Sequence, residues 1–263
     1  MVRARLEPGS VIDGFRIEQQ IHRGGMASLW QVSRDGADFP LLMKVPRIEE
    51  GEDPAAIVSF EMEQLVLPRL SGPHVPKFVA AGDFSVQPYL VMERIPGKTL
   101  LDRLPELPLP YATVADIGVR IATALDALHQ QHVIHLDIKP SNVMFRPSGE
   151  AVVFDFGLSR HDQLPDLMQE EFRLPFGTAP YMAPEQLQGV RNEPKSDLFA
   201  LGVLLYFFST GERPFGEGER MRSMRRRLWR DPVPPRKLKP DYPPWLQEIV
   251  LRCLEIEPAW RYP

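Results

Sequence analysis

The sequence predicts an α+β fold: a small strand-rich N-terminal third with one main helix, followed by a larger helix-rich remainder. Three observations lead there. From Phe15 to Val45 the apolar runs are short and broken by "RGG" and "DGADFP", the pattern of strands and turns. Residues 111–130 place Val114, Ile117, Ile121, Ala124, Leu125 and Leu128 at helical spacing, a helix with one buried face. Between the two regions "ERIPGKT" at 93–99 reads as a connector.

The remaining elements follow in order. Residues 54–70 begin with Pro54 and carry Ile57, Phe60, Leu65 and Leu67, a helix. "YLVMERI" at 89–95 is a strand. "NVMFR" and "AVVFDF" are strand-like runs joined by the turn signal "PSGE", and beyond Leu198 the pattern is helical again. There is no internal repeat and no low-complexity tract. The 28 prolines stiffen loops and concentrate in 232–244.

Composition narrows the class. A chain of 263 residues, 43% hydrophobic and 25% charged, can bury a sizeable core as one large domain or two lobes. A net charge of −4 gives no reason to expect nucleic acid. The single cysteine, Cys253, cannot form an internal disulfide and points to a reducing compartment. No apolar run approaches the roughly 20 residues that span a bilayer, and "MVRARLEPGS" lacks the apolar core of a secretory signal. A cytoplasmic location is expected, free or as the cytoplasmic part of a longer membrane-attached protein.

The chemistry concentrates in "VIHLDIKPSNVMFRPSGEAVVFDFGL", residues 133–158. A loop carrying Asp137, Lys139 and Asn142, followed by a strand pair ending in Asp155, brings four polar side chains to one cleft. Asp155 and Asn142 offer hard oxygen ligands suited to Mg²⁺ with phosphate oxygens. Asp137 can accept a proton from an attacking hydroxyl, and Lys139 can neutralise charge on a transferred phosphoryl group. The bland alternative makes the two acids loop caps.

"HLDIKPSN" followed by "DFG" resembles the catalytic loop and metal-binding loop of protein kinases. The resemblance covers nearly the whole chain in order. It implies a single kinase domain over 1–263, with an N-lobe at about 10–92, a hinge at about 93–97 and a C-lobe at about 98–263 that stops before the family's last helix. Lys44, ending "LLMK", matches the strand lysine that holds the α- and β-phosphates of ATP, and Glu63 its ion-pair partner; the bland reading of that pair is a surface contact. Met92 matches the gatekeeper, with backbone groups of Glu93 and Ile95 on the adenine. Ile21, His22, Arg23, Gly24, Gly25, Met26, Ala27, Leu29, Leu42 and Met144 would complete the nucleotide pocket. Asn142 and Asp155 would hold Mg²⁺, with Mn²⁺ as the alternative ion. "GTAPYMAPE" resembles the substrate-binding end of the activation segment, closing on Glu185, and Arg261 in "PAWRYP" is the expected partner of Glu185. Asp197 in "KSDLFALGVLLY" would brace the catalytic loop. Lys139 and Thr178 together resemble serine/threonine kinases, so the implied partners are proteins with Ser or Thr hydroxyls. "GGM" and "PYMAPEQ" look most like bacterial members. His135 reads as a core histidine and Cys253 as a buried, inert thiol.

Departures matter too. In the phosphate-covering loop His22 replaces the first glycine and Ala27 the third, and Leu42 replaces the alanine that packs on adenine. They leave a rival reading, a pseudokinase acting as a nucleotide-binding scaffold. Leu136 stands where the family usually has the arginine that pairs with a phosphorylated activation segment. From Leu158 to Phe176 Ser159 is the only hydroxyl residue. Activity independent of phosphate on that segment is expected, with Leu136 packed against Leu174 or Phe176. Finally, 220–239 carries nine basic residues against Asp231. It reads either as a solvated helix face or as a docking surface for an acidic partner or an anionic membrane.

Overall fold

The computed structural model describes residues 6–47, 54–171, 175–216 and 224–263. Its N-terminal part is one antiparallel sheet of β1 (Val11–Ile12), β2 (Phe15–Arg23), β3 (Ala27–Ser33), β4 (Leu41–Pro46), β5 (Phe78–Ala81) and β6 (Leu90–Glu93). The strand order is β1-β2-β3-β4-β6-β5. Successive side chains of a strand point to opposite faces. In β4 this sends Leu41, Met43 and Val45 into a core with Phe15, Ile17, Trp30, Val32, Tyr89 and Val91. Leu42 and Lys44 therefore take the other face. Register places Lys44 beside Leu29 and Leu90, and Leu42 beside Met92. The helix α1 (Pro54–Val66) buries Phe60, Met62, Glu63 and Val66, and continues into a 3₁₀ turn at Leu67–Arg69.

The larger part is helical. In α2 (Tyr111–His129) the buried residues are those of the expected apolar stripe, with Gly118 added. Next come β7 (Val133–Ile134), β8 (Val143–Phe145), β9 (Ala151–Val153) and β10 (Arg160–His161); β8 pairs with β9, and β7 with β10. The strand pair is the one expected around "PSGE". The helices α3 (Leu167–Glu171), α4 (Pro184–Leu187), α5 (Lys195–Thr210), α6 (Pro235–Leu238) and α7 (Pro244–Cys253) follow. Almost every side chain of α5 is buried, which explains its lack of a polar stripe. Gly202 lets α7 approach: a Cβ there would lie 2.7 Å from the Cβ of Cys253. α5 thus begins a turn earlier than the apolar pattern after Leu198 suggests, because Lys195, Ser196 and Asp197 form its first turn. No described helix is long and apolar enough to cross a membrane.

The basic stretch is less uniform than its composition suggests. Arg220 and Arg222 lie outside the described residues. Arg225–Leu228 is a 3₁₀ turn in which Arg227 is fully buried. Its guanidinium donates to the carbonyl of Met182 and stands over the Phe215 ring. Burial pulls its pKa down to about 10. The expectation of one solvated or docking face through Arg227 is therefore corrected. This arginine is drawn inward because the carbonyls of the 180–182 stretch need a donor.

Candidate active site

The cleft is assembled from both parts of the molecule. On the sheet side, Lys44 Nζ lies 2.5 Å from Glu63 Oε2 and 2.7 Å from Asp155 Oδ1. Glu63 reaches it from the buried face of α1, and Asp155 from the loop after β9. Gly157 permits the close approach: a Cβ there would lie 2.1 Å from Ser59 Oγ of α1. The Lys44–Glu63 pair is mostly buried (17% and 2% exposed), so the surface-pair reading falls. Burial opposes the Lys44 ammonium, but Asp155 and Glu63 outweigh it and raise its pKa. Lys44 in turn holds the Asp155 carboxyl at about 2, with a smaller contribution from Lys139.

A second group forms in the loop between β7 and β8. Asp137 Oδ2 accepts from Lys139 Nζ at 2.6 Å, and Oδ1 from the hydroxyl and amide of Thr178 at 2.7 and 2.9 Å. Lys139 also donates to Thr178 Oγ1 at 2.9 Å. Asn142 Nδ2 donates to the Asp137 carbonyl at 3.0 Å. That turns Asn142 Oδ1 away from Asp137. With the anionic Asp155 it offers the hard oxygen donors a divalent cation takes, so the residues present fit such an ion.

Buried polar bonds fix the loop's backbone. Asp197, at the start of α5, accepts the amides of His135 and Leu136 at 2.9 and 2.8 Å and bonds His129 Nε2 at 2.9 Å. Leu136 needs this support because its φ is +64°, a left-handed conformation costly for leucine. Its side chain is buried, and its carbonyl accepts from Gln186 Nε2 at 2.8 Å. Leu174, one suggested neighbour of Leu136, lies outside the described residues. His135 is fully buried and bonds the Phe154 carbonyl through Nε2, as a core histidine should. Glu185 and Arg261 form a buried bidentate pair at 2.6 and 2.8 Å. Ser159 is fully buried, its hydroxyl 3.2 Å from the His135 carbonyl.

The residues expected at the nucleotide lie on or next to strands of the two lobes. Ile21, His22 and Arg23 end β2; Gly24, Gly25 and Met26 form the turn; Ala27 and Leu29 lie on β3. The Gly24 amide donates to the Ala27 carbonyl at 2.9 Å, closing that turn. Met92 and Glu93 end β6, Ile95 follows, and Met144 sits on β8. The Glu93 amide is committed to the Lys77 carbonyl at 2.8 Å. Three partners escaped sequence reading: Gln186, Arg191 and Arg146. Arg146 pairs with the Glu93 carboxylate and donates to the carbonyls of Pro73 and Val75. Arg146 and Arg191 had no local signal, because their partners are distant in sequence; Gln186 had one, since its Oε1 accepts the Ala183 amide three residues back at the start of α4.

Residues 15–263 match the protein kinase domain family, and the chain belongs to it. It is 31% identical over 253 residues to the probable serine/threonine-protein kinase PknB of Lactococcus lactis, covering 95% of this chain and 40% of that protein. It is 32% identical over 257 residues to the serine/threonine-protein kinase PknA of Mycobacterium tuberculosis, covering 94% of this chain and 58% of that protein. The chain therefore spans between 40% and 58% of the length of these relatives. The family uses ATP and a divalent metal ion.

Proposed function

We propose that this chain transfers the γ-phosphoryl group of ATP to Ser and Thr hydroxyls of proteins, and does so without phosphate on its activation segment. The observation that carries the proposal is the joint assembly of two groups, Lys44 with Glu63 and Asp155, and Asp137 with Lys139 and Thr178. Lys44, oriented by Glu63, would hold the α- and β-phosphates. The substrate oxygen forms a bond to γ-phosphorus as the bond to the ADP oxygen breaks; the hydroxyl proton goes to Asp137. Lys139 offsets charge on the transferred group, and Thr178 fixes Asp137 beside the substrate seat. Asn142 and Asp155 would hold Mg²⁺, which when bound neutralises phosphate charge. Most of the acceleration in such chemistry is positioning and charge stabilisation. Independence from phosphate is supported by the buried Leu136 and the buried Ser159.

The experiment is phosphoryl transfer to a generic protein acceptor with ATP and Mg²⁺, for the parent and Asp137→Asn. The variant should stay folded and bind nucleotide, yet lose on the order of 10²–10⁴-fold in kcat. Near-normal transfer by the variant would remove the role given to Asp137. Nucleotide binding without transfer by the parent would favour a scaffold.

A further inference from the structure

Asp166 and Arg191 form an ion pair that phosphoryl transfer itself does not use. Asp166 immediately precedes α3. Its carbonyl accepts the amides of Gln169 and Glu170 at 3.0 Å each, and its Oδ1 accepts the Gln169 amide at 3.3 Å. Its Oδ2 lies 2.8 Å from Arg191 Nε and 3.9 Å from Arg160 Nε. The Asp166 and Arg191 side chains are each only 10% exposed, so water screens this pair far less than a surface contact. Arg191 comes from the stretch between α4 and α5, and its Nη2 donates to the Leu158 carbonyl at 2.9 Å. One guanidinium thus holds two points of the activation segment, Leu158 beside Gly157 and the start of α3.

What α3 does links the pair to the cleft. It packs against α1. Its Met168 is 1% exposed and belongs to the same apolar core as Phe60, Met62 and Val66 of α1. The same helix α1 carries Glu63 to Lys44.

We propose that Asp166 and Arg191 are positioning residues whose carboxylate–guanidinium pair holds α3 against α1, keeping Glu63 on Lys44 without a phosphate. The proposal deepens the phosphate-independent reading and rests on it. A fixed carboxylate supplies the anion that a phosphorylated residue supplies elsewhere, and Arg191 supplies the receptor that Leu136 cannot.

The test uses the full chain after phosphatase treatment, as parent, Arg191→Ala, Arg191→Lys, Asp166→Asn and the Asp166→Asn/Arg191→Ala double variant. Peptide turnover, KM for ATP and hydrogen exchange over 54–66 and 158–171 are measured. Arg191→Ala should lower kcat/KM on the order of 10-fold or more and raise KM for ATP. Exchange should speed up in both segments. Arg191→Lys should recover part of the loss, and the double variant should fall no further than Arg191→Ala. Parent-like kinetics and exchange in Arg191→Ala, or additive losses in the double variant, would overturn the proposal. If the parent itself needs phosphate, the phosphate-independent reading fails. Exchange then still decides about the pair: unchanged protection of 54–66 in Arg191→Ala overturns it.

Discussion

Leu42 faces Met92 across the β4–β6 pair, on the side of the sheet away from the small-lobe core. In the nucleotide site proposed for this cleft, a leucine there would take room that the base uses. Leu42→Ala is expected to lower KM for ATP with little change in kcat, since removing uniform crowding alters ground and transition states alike. A raised KM in steady-state kinetics would show that Leu42 is a contact rather than an obstruction. Cys253 gives a cleaner case. Burial pushes its thiol up to about 11, so the reactive thiolate is scarce at any pH below that value. The folded protein should not react with a thiol reagent at pH 8, and denaturant should release one equivalent; rapid labelling of the native chain would contradict this. Both residues were readable as letters in a pattern, Leu42 by its place two before Lys44 and Cys253 by its helical surroundings. Arg227 was not. Its neighbours in sequence are basic, and the partners that draw it inward, the Met182 carbonyl and the Phe215 ring, lie in other stretches of the chain.

Elements were legible where a single periodicity dominates. The stripe of α2 has one wet face and one dry face, so the pattern records the packing. β4 reads LLMKVP with no alternation, and only the structure separates Leu41, Met43 and Val45 from Leu42 and Lys44. α5 is buried nearly all round, and its start is set by Asp197 reaching the loop at His135 and Leu136. No apolar count reveals that bond. The close contact of α5 with α7 is testable: Gly202→Ala would push a methyl against Cys253. The expected loss is about 1–3 kcal/mol in denaturant unfolding, the usual cost of overpacking; an unchanged midpoint would mean the helices separate freely. The α3–α1 contact was illegible for a different reason. α3 is short and acidic, and its anchor Arg191 is 25 residues away from Asp166. A pair that distant leaves no local pattern.

At the scale of the molecule, the buried Glu185–Arg261 pair ties α4 to the last residues of the chain. Removing one partner strands a buried charge, so Arg261→Ala should cost about 3–5 kcal/mol in thermal or denaturant unfolding; a loss near zero would mean the pair is replaceable by water. The basic surface is now smaller and easier to test. Reversing Arg225 and Arg226 to Glu while leaving Arg227 in place should weaken binding to anionic vesicles at low salt without changing peptide turnover; identical binding would leave a merely solvated face. The proposed cleft is complete without phosphate on the activation segment. The measurement that addresses this most directly is the peptide turnover of phosphatase-treated protein, shown by mass spectrometry to carry no phosphate on residues 158–178. Full activity is expected. Loss of activity restored only by phosphate on Ser159 or Thr178 would contradict it.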